Sequence, residues 1–245
     1  MATKTINAEA KDLMETEPTT AVAVQTTQAL GHLDTANVSI QDLQLPRLQV
    51  TYGVGPLSAL FNPGDLILGG EDLLVTKGES ITFIPLIVTK YWKEYMSKEK
   101  LDMKLMPRTF LTKDEVHADG GTTEWVGTGD TKVGPTFSEA IDIKMLIAQP
   151  EDTECGMFGI QLEGDDKLYA PAVFSMDKTA YKRAGRGFLT ACSITLGNNL
   201  LSGRFELSAA SKVVNNNNTV VPTIKITPKR NEAVTQKSIQ TLFGG

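Results

Sequence analysis

Cysteine and histidine are scarce in this chain, two of each in 245 residues. Cys155 and Cys192 give no disulfide framework and suit a reducing compartment. His32 and His117 lie far from each other and from both cysteines, which argues against a structural zinc site of the usual ligand spacing. No apolar run is long enough to cross a bilayer as a helix, and the Thr- and Glu-rich start lacks the pattern of a secretory signal. There is no G-x-x-x-x-G-K-[ST] run, so a Walker-type phosphate loop is excluded. Other fragments that echo catalytic motifs read as connections. Gly127-Thr128-Gly129-Asp130 lacks the strand-to-helix setting of a nucleotide fingerprint, and Gly164-Asp165-Asp166 reads as a hairpin turn. Glu151, Asp152 and Glu154 read as a solvated acidic loop rather than a calcium site. The chain reads as a binding protein with no cofactor, not as an enzyme.

Cations are also few, 24 against 29 acidic residues, for a net charge of −5. They are unevenly placed. From Lys178 onward there are ten Lys/Arg and two Glu, net +8, whereas residues 1–177 hold 14 and 27, net −13. That asymmetry predicts a localised anion-binding face on an acidic body.

The stretch Asp177 to Cys192, DKTAYKRAGRGFLTAC, is the one strong helix signal. At about 100° per residue, Lys178, Lys182, Arg183 and Arg186 share one side. Ala180, Tyr181, Ala184, Phe188, Ala191 and Cys192 share the other. Asp177 is placed to cap the first turn. Gly185 and Gly187 each weaken the helix by about 1 kcal/mol relative to Ala, so burial of the apolar side must hold it. A solvated basic face and a polyanion-binding face fit this pattern equally well taken alone.

The rest is strand-like. Residues 1–37 form a flexible acidic arm, 38–228 a single β-rich domain, and 229–245 a C-terminal tail or short helix. Leu45 to Val50 is extended, Asn62-Pro63-Gly64-Asp65 is a turn, and Leu66 to Val75 folds as a hairpin over Gly69-Gly70. Ser80 to Trp92, SITFIPLIVTKYW, is the strongest strand and belongs at the sheet centre, with Pro85 marking a bulge or edge. Lys98 to Gly134 is a polar insertion anchored by Trp125. Glu139 to Gln149 is a strand, and Gly156 to Leu162 pairs with Leu168 to Phe174. Arg204 to Val214 and Thr219 to Thr227 form a hairpin across Asn215 to Asn218. Mostly strands with one main helix predicts a barrel or sandwich. An OB-fold-like Greek-key barrel with long loops fits best, with a jelly roll as the alternative.

A second cluster, Lys90-Tyr91-Trp92-Lys93-Glu94-Tyr95, interleaves cations with rings at the end of that strand. Single-stranded nucleic acid needs flat rings for bases, at roughly 1–3 kcal/mol each, beside cations for phosphates. The competing reading buries at least one of Tyr91 and Trp92 as a core plug.

An L-P-R-L segment (Leu45 to Leu48), an I-x-F-I-P-L strand running into aromatics (Ile81 to Trp92) and a P-A-V-F strand (Pro171 to Phe174) lead into a K-x-x-x-K-x-x-x-R helix, followed by R-F-E-L (Arg204 to Leu207). This succession resembles the single-stranded DNA-binding proteins of tailed bacteriophages. The resemblance implies an oligonucleotide-binding barrel that coats and protects single-stranded DNA during replication or recombination, in the host cytoplasm. Lys178, Lys182, Arg183 and Arg186 would meet phosphates, Tyr91 and Trp92 would stack on bases, and Lys90, Lys93, Tyr95 and Arg204 would complete the contact set. Phage or host replication proteins reached through the termini, and further copies of the chain in a homo-oligomer, are the expected partners, and the lack of a long apolar run gives no membrane partner. The family's acidic, aromatic-ended tail is not matched by Ser238 to Gly245, although Phe243 offers a ring and the N-terminal arm offers acid. A virion structural or assembly protein, whose basic helix pairs with an acidic subunit, is the alternative, and a strand-annealing factor shares the same ligand.

Overall fold

Ser80–Glu94 (β4) organises the sheet. Its β-branched and aromatic side chains favour extended backbone and pack on both faces, which suits a central position. It runs antiparallel to Phe137–Ala148 (β6) along most of its length and to Phe205–Val214 (β9) at its start. The computed structural model describes residues 44–214 and 217–243. The expected N-terminal arm, residues 1–37, lies outside them. The other strands are Arg47–Val50 (β1), Leu66–Leu68 (β2), Asp72–Val75 (β3), Thr109–Phe110 (β5), Ile160–Gln161 (β7), Leu168–Asp177 (β8) and Asn217–Ile226 (β10).

Eight strands follow the order β10-β9-β4-β6-β8-β1-β2-β3, with β5 attached to β4 and β7 to β8. Every pair is antiparallel except β1 with β8. The protein is mostly β, a mixed curled half-barrel sheet with one main helix of 18 residues. The expected five-stranded Greek-key barrel is not shown. The path runs from β10 to β3, and no pairing among the described residues joins those two edges. Several local expectations match the structure. The β2–β3 hairpin turns through Gly69 and Gly70, with φ of 66° and 88°, a left-handed pair that glycine adopts without a Cβ clash. Strands β9 and β10 pair in register up to Val214 and Asn217, and the two residues between them lie outside the described set.

The main helix, residues 178–195, lies on one face of the sheet and buries Tyr181, Ala184, Phe188 and Cys192. Phe188 packs edge-on against Phe205 at 4.9 Å, and Phe205 stacks on Phe83 at 5.5 Å, so the helix is tied to β4 and β9 through three rings. The helix mixes α-turns with two π-helical segments, Tyr181–Gly185 and Ala191–Thr195. A Cβ on Gly185 would sit 2.8 Å from the Tyr181 ring and 3.3 Å from Ile141 of β6, so glycine lets the helix approach the sheet there. Asp177 occupies the N-cap position but makes no capping bond, because its carboxylate accepts from Lys93 instead.

A bulge between Pro85 and Ile87 decides which way the end of β4 faces. Proline has no N–H to give the ladder, so the pairing with β6 skips one residue there. Before the bulge, Ile81 and Phe83 face the helix. Beyond it the parity changes, and Val88 joins the helix-side core while Ile84 and Leu86 pack on the reverse face. Lys90 and Trp92 therefore turn toward the helix, and Tyr91 and Lys93 turn away.

The tail after residue 229 folds as the helix Ala233–Phe243, which covers one end of the reverse face and buries Ile239 against Ile84, Leu146 and Tyr169. The insertion between β4 and β6 holds two short helices, Lys98–Asp102 and Lys113–Ala118. Trp125 does not anchor it. That ring is 63% exposed, and the insertion is held by buried Val116, by Phe110 against Phe137 at 5.4 Å, and by Glu94. No helix of the described residues is long and apolar enough to cross a membrane.

Candidate nucleic-acid interface

Where the N-terminal half of the main helix passes the end of β4, a groove of about 180 Å³ opens between the helix, β6 and the insertion. Trp92, Tyr95, Lys178, Lys182 and Arg186 line it, with Thr123 and Pro135 of the insertion on the far side. Six of the ten residues expected from the sequence thus meet on one wall, counting Lys90, which reaches Glu139 on the same face. Arg183 follows Lys182 on the helix and is exposed.

Glu139 holds the centre of the wall. It accepts from Lys90 Nζ at 2.8 Å and from Arg186 Nη2 at 2.6 Å, with the Tyr181 hydroxyl at 3.4 Å. Burial pushes its carboxyl up, the bonds from Lys90 and Arg186 pull it down, and the net result is below the ordinary value, so the carboxylate stays ionised. One carboxylate therefore offsets part of the charge of Lys90 and Arg186 and orients both side chains. Lys178 Nζ lies 4.6 Å from the centroid of the Tyr95 ring, a cation–π contact that keeps the half-exposed ring and the charge together. Lys182 and Arg183 form no ion pair among the described residues. The wall thus carries four cations, Lys90, Lys178, Lys182 and Arg186, and Glu139, beside two rings, with exposed Arg183 next to it on the helix.

Glu94 fixes the far side of the groove. Buried at the end of β4, it accepts from Lys100 Nζ at 2.6 Å and from Arg108 Nε and Nη2 at 3.1 and 3.0 Å. These bonds hold its carboxyl down at about 2. Arg108 also pairs with Asp119 and lies over the Phe137 ring, so a single guanidinium ties β4, β6 and the insertion.

Three expected contacts are not on this wall. Tyr91 points to the reverse face and donates to Asp142 Oδ1 at 3.0 Å, and burial, followed by Asp142, pushes its hydroxyl well above the usual phenol value. Lys93 also points to the reverse face and pairs with Asp177 at 2.9 Å. Arg204 is 6% exposed. It pairs with buried Asp165 and donates to Asn231, so it joins the β7–β8 turn to the start of the C-terminal helix and is not placed to touch a ligand.

The sequence reading gave no site role to Glu139, one of two acids in β6, or to the contact of Lys132 with Trp125, whose ring centroid lies 5.1 Å from the ammonium on the exposed insertion. No group of three or more His, Cys, Asp or Glu among the described residues is arranged to hold a metal ion. No protein-family model, curated protein or solved structure matches the chain.

Proposed function

We propose that this chain binds single-stranded DNA with little sequence preference, coating and protecting it during replication or recombination of a tailed bacteriophage in the host cytoplasm. The observation that carries this reading is the helix–β4 wall, where Lys178, Lys182 and Arg186 stand beside Trp92 and Tyr95 with one central carboxylate, and exposed Arg183 adjoins them on the helix. Phosphates need exposed cations and bases need ring faces, and this wall presents both within one groove. The acidic remainder, net −13 over residues 1–177, opposes non-specific adhesion elsewhere on the molecule. The open, curled sheet serves this role without closing into the OB-type barrel that the resemblance implies.

Fluorescence polarisation of labelled oligo(dT), oligo(dA) and a duplex, each at two salt concentrations, tests the reading. Tight, salt-sensitive binding to both single strands with weak binding to the duplex is the expected result. Large regular oligomers with no nucleic-acid affinity would replace it with the virion-assembly alternative.

A further inference from the structure

The face of the sheet turned away from the main helix is covered at one end by the C-terminal helix and open at the other. At the open end lies a pocket of about 590 Å³, within the size range of small-ligand sites. Tyr91 of β4, Asp142 of β6 and Arg47 of β1 converge on it from three strands of the sheet. Exposed Met106 and Leu111, with Pro107, form an apolar rim contributed by the insertion. A second pocket of about 250 Å³ shares Arg47 and Ser175 with the first and adds Tyr52.

The polar groups here are unevenly satisfied. The Lys93 ammonium is already paired with Asp177, whereas Arg47 is exposed and forms no ion pair among the described residues. Asp142 receives the Tyr91 hydroxyl on Oδ1, and its Oδ2 has no hydrogen bond among the described residues. A carboxylate oxygen can only accept, so it suits the exocyclic amino group of cytosine or adenine and opposes the O4 carbonyl of thymine. A free guanidinium suits a phosphate, which it can hold through two parallel N–H donors. The Tyr91 ring and the apolar rim suit a flat base.

We propose that this pocket takes one nucleoside phosphate with an amino-bearing base, the base against Tyr91 with its amino group on Asp142, and the phosphate on Arg47. It would give an otherwise sequence-tolerant protein a local preference for cytosine or adenine over thymine. The assignment of that nucleotide to a bound strand rests on the single-strand reading above; the pocket chemistry does not.

Titration of the full chain with dCMP and with dTMP, followed by amide chemical shifts, tests the site directly. The expected result is a preference for dCMP of roughly three- to tenfold, as one good amino–carboxylate contact provides. Asp142→Asn brings that preference close to unity, Arg47→Ala weakens both nucleotides by roughly tenfold, and Tyr91→Phe, which keeps the ring and releases Asp142, retains the preference. Equal affinity for dCMP and dTMP, or binding insensitive to both Asp142→Asn and Arg47→Ala, overturns the proposal. The same comparison with oligo(dC) and oligo(dT) separates the two sources of nucleotide. A preference that appears in the oligonucleotides and vanishes in Asp142→Asn assigns the pocket to the strand, and a preference confined to dCMP assigns it to free nucleotide, both supporting the base chemistry. Loss of oligonucleotide binding with dCMP binding retained removes the single-strand reading and leaves the pocket standing.

Discussion

Arg204 and Asp165 form an ion pair in which both side chains are nearly fully buried. Removing one member leaves the other charge in the interior without compensation, which costs about 3–5 kcal/mol. Arg204→Ala should therefore lower the thermal midpoint sharply while leaving the salt dependence of DNA binding in the surviving folded protein unchanged. Differential scanning calorimetry and binding titrations read the two separately. Glu94 gives a pH signature of its own. Its carboxyl is held at about 2 against an ordinary 4.5, so its contribution to stability is complete above about pH 4.5 and is lost as the pH falls toward 2. Glu94→Gln removes the pairing with Lys100 and Arg108 at every pH, and acid unfolding curves of the variant should show a shallower loss of stability across that window than the parent protein.

At the scale of elements, the two glycines of the main helix should respond in opposite directions. A methyl at Gly187 meets nothing within 4 Å, so Gly187→Ala gains helix propensity, about 1 kcal/mol, and raises the midpoint. A methyl at Gly185 meets the Tyr181 ring and Ile141, and the overpacking, about 1–3 kcal/mol, outweighs the same gain. Gly185→Ala should lower the midpoint, and a rise would contradict the close approach of the helix to β6 at Gly185. Much of this level was legible in the sequence. The helix and its apolar side were readable because burial follows a 3.6-residue period, and β4 because a long β-branched and aromatic run has few other solutions. The fate of its last residues was not. Simple alternation puts Ile81, Phe83, Tyr91 and Lys93 on one face, and the added residue at Pro85 breaks that count, so Trp92 and Tyr91 exchange sides. Pro85 was visible as a disturbance, but whether it adds a residue or merely marks an edge depends on its partner strand. Long-range pairing hid the rest: nothing local joins Arg204 to Asp165, or Lys90 and Arg186 to Glu139. Trp125 misled because a large ring in a polar loop suggests burial, and here two smaller side chains, Val116 and Phe110, hold the insertion.

Across the whole molecule, the lopsided charge acquires a location. Lys178, Lys182 and Arg186 of the main helix and the ring-bearing end of β4 share one groove because the helix crosses the half-barrel beside that strand end, and Glu139 orients Lys90 and Arg186. Trp92 is half-buried in this groove, so Trp92→Ala should weaken single-strand binding by roughly 1–3 kcal/mol through lost stacking, with little change in salt slope. The most direct measurement is the slope of log affinity against log salt for labelled oligo(dT), compared between the parent protein and the Lys182→Ala, Arg183→Ala double variant. Each phosphate neutralised on a single strand contributes about 0.7 to that slope, so the variant should bind more weakly with a slope shallower by about 1.4. An unchanged slope, or no binding by the parent protein, would contradict the assignment of this wall to single-stranded DNA.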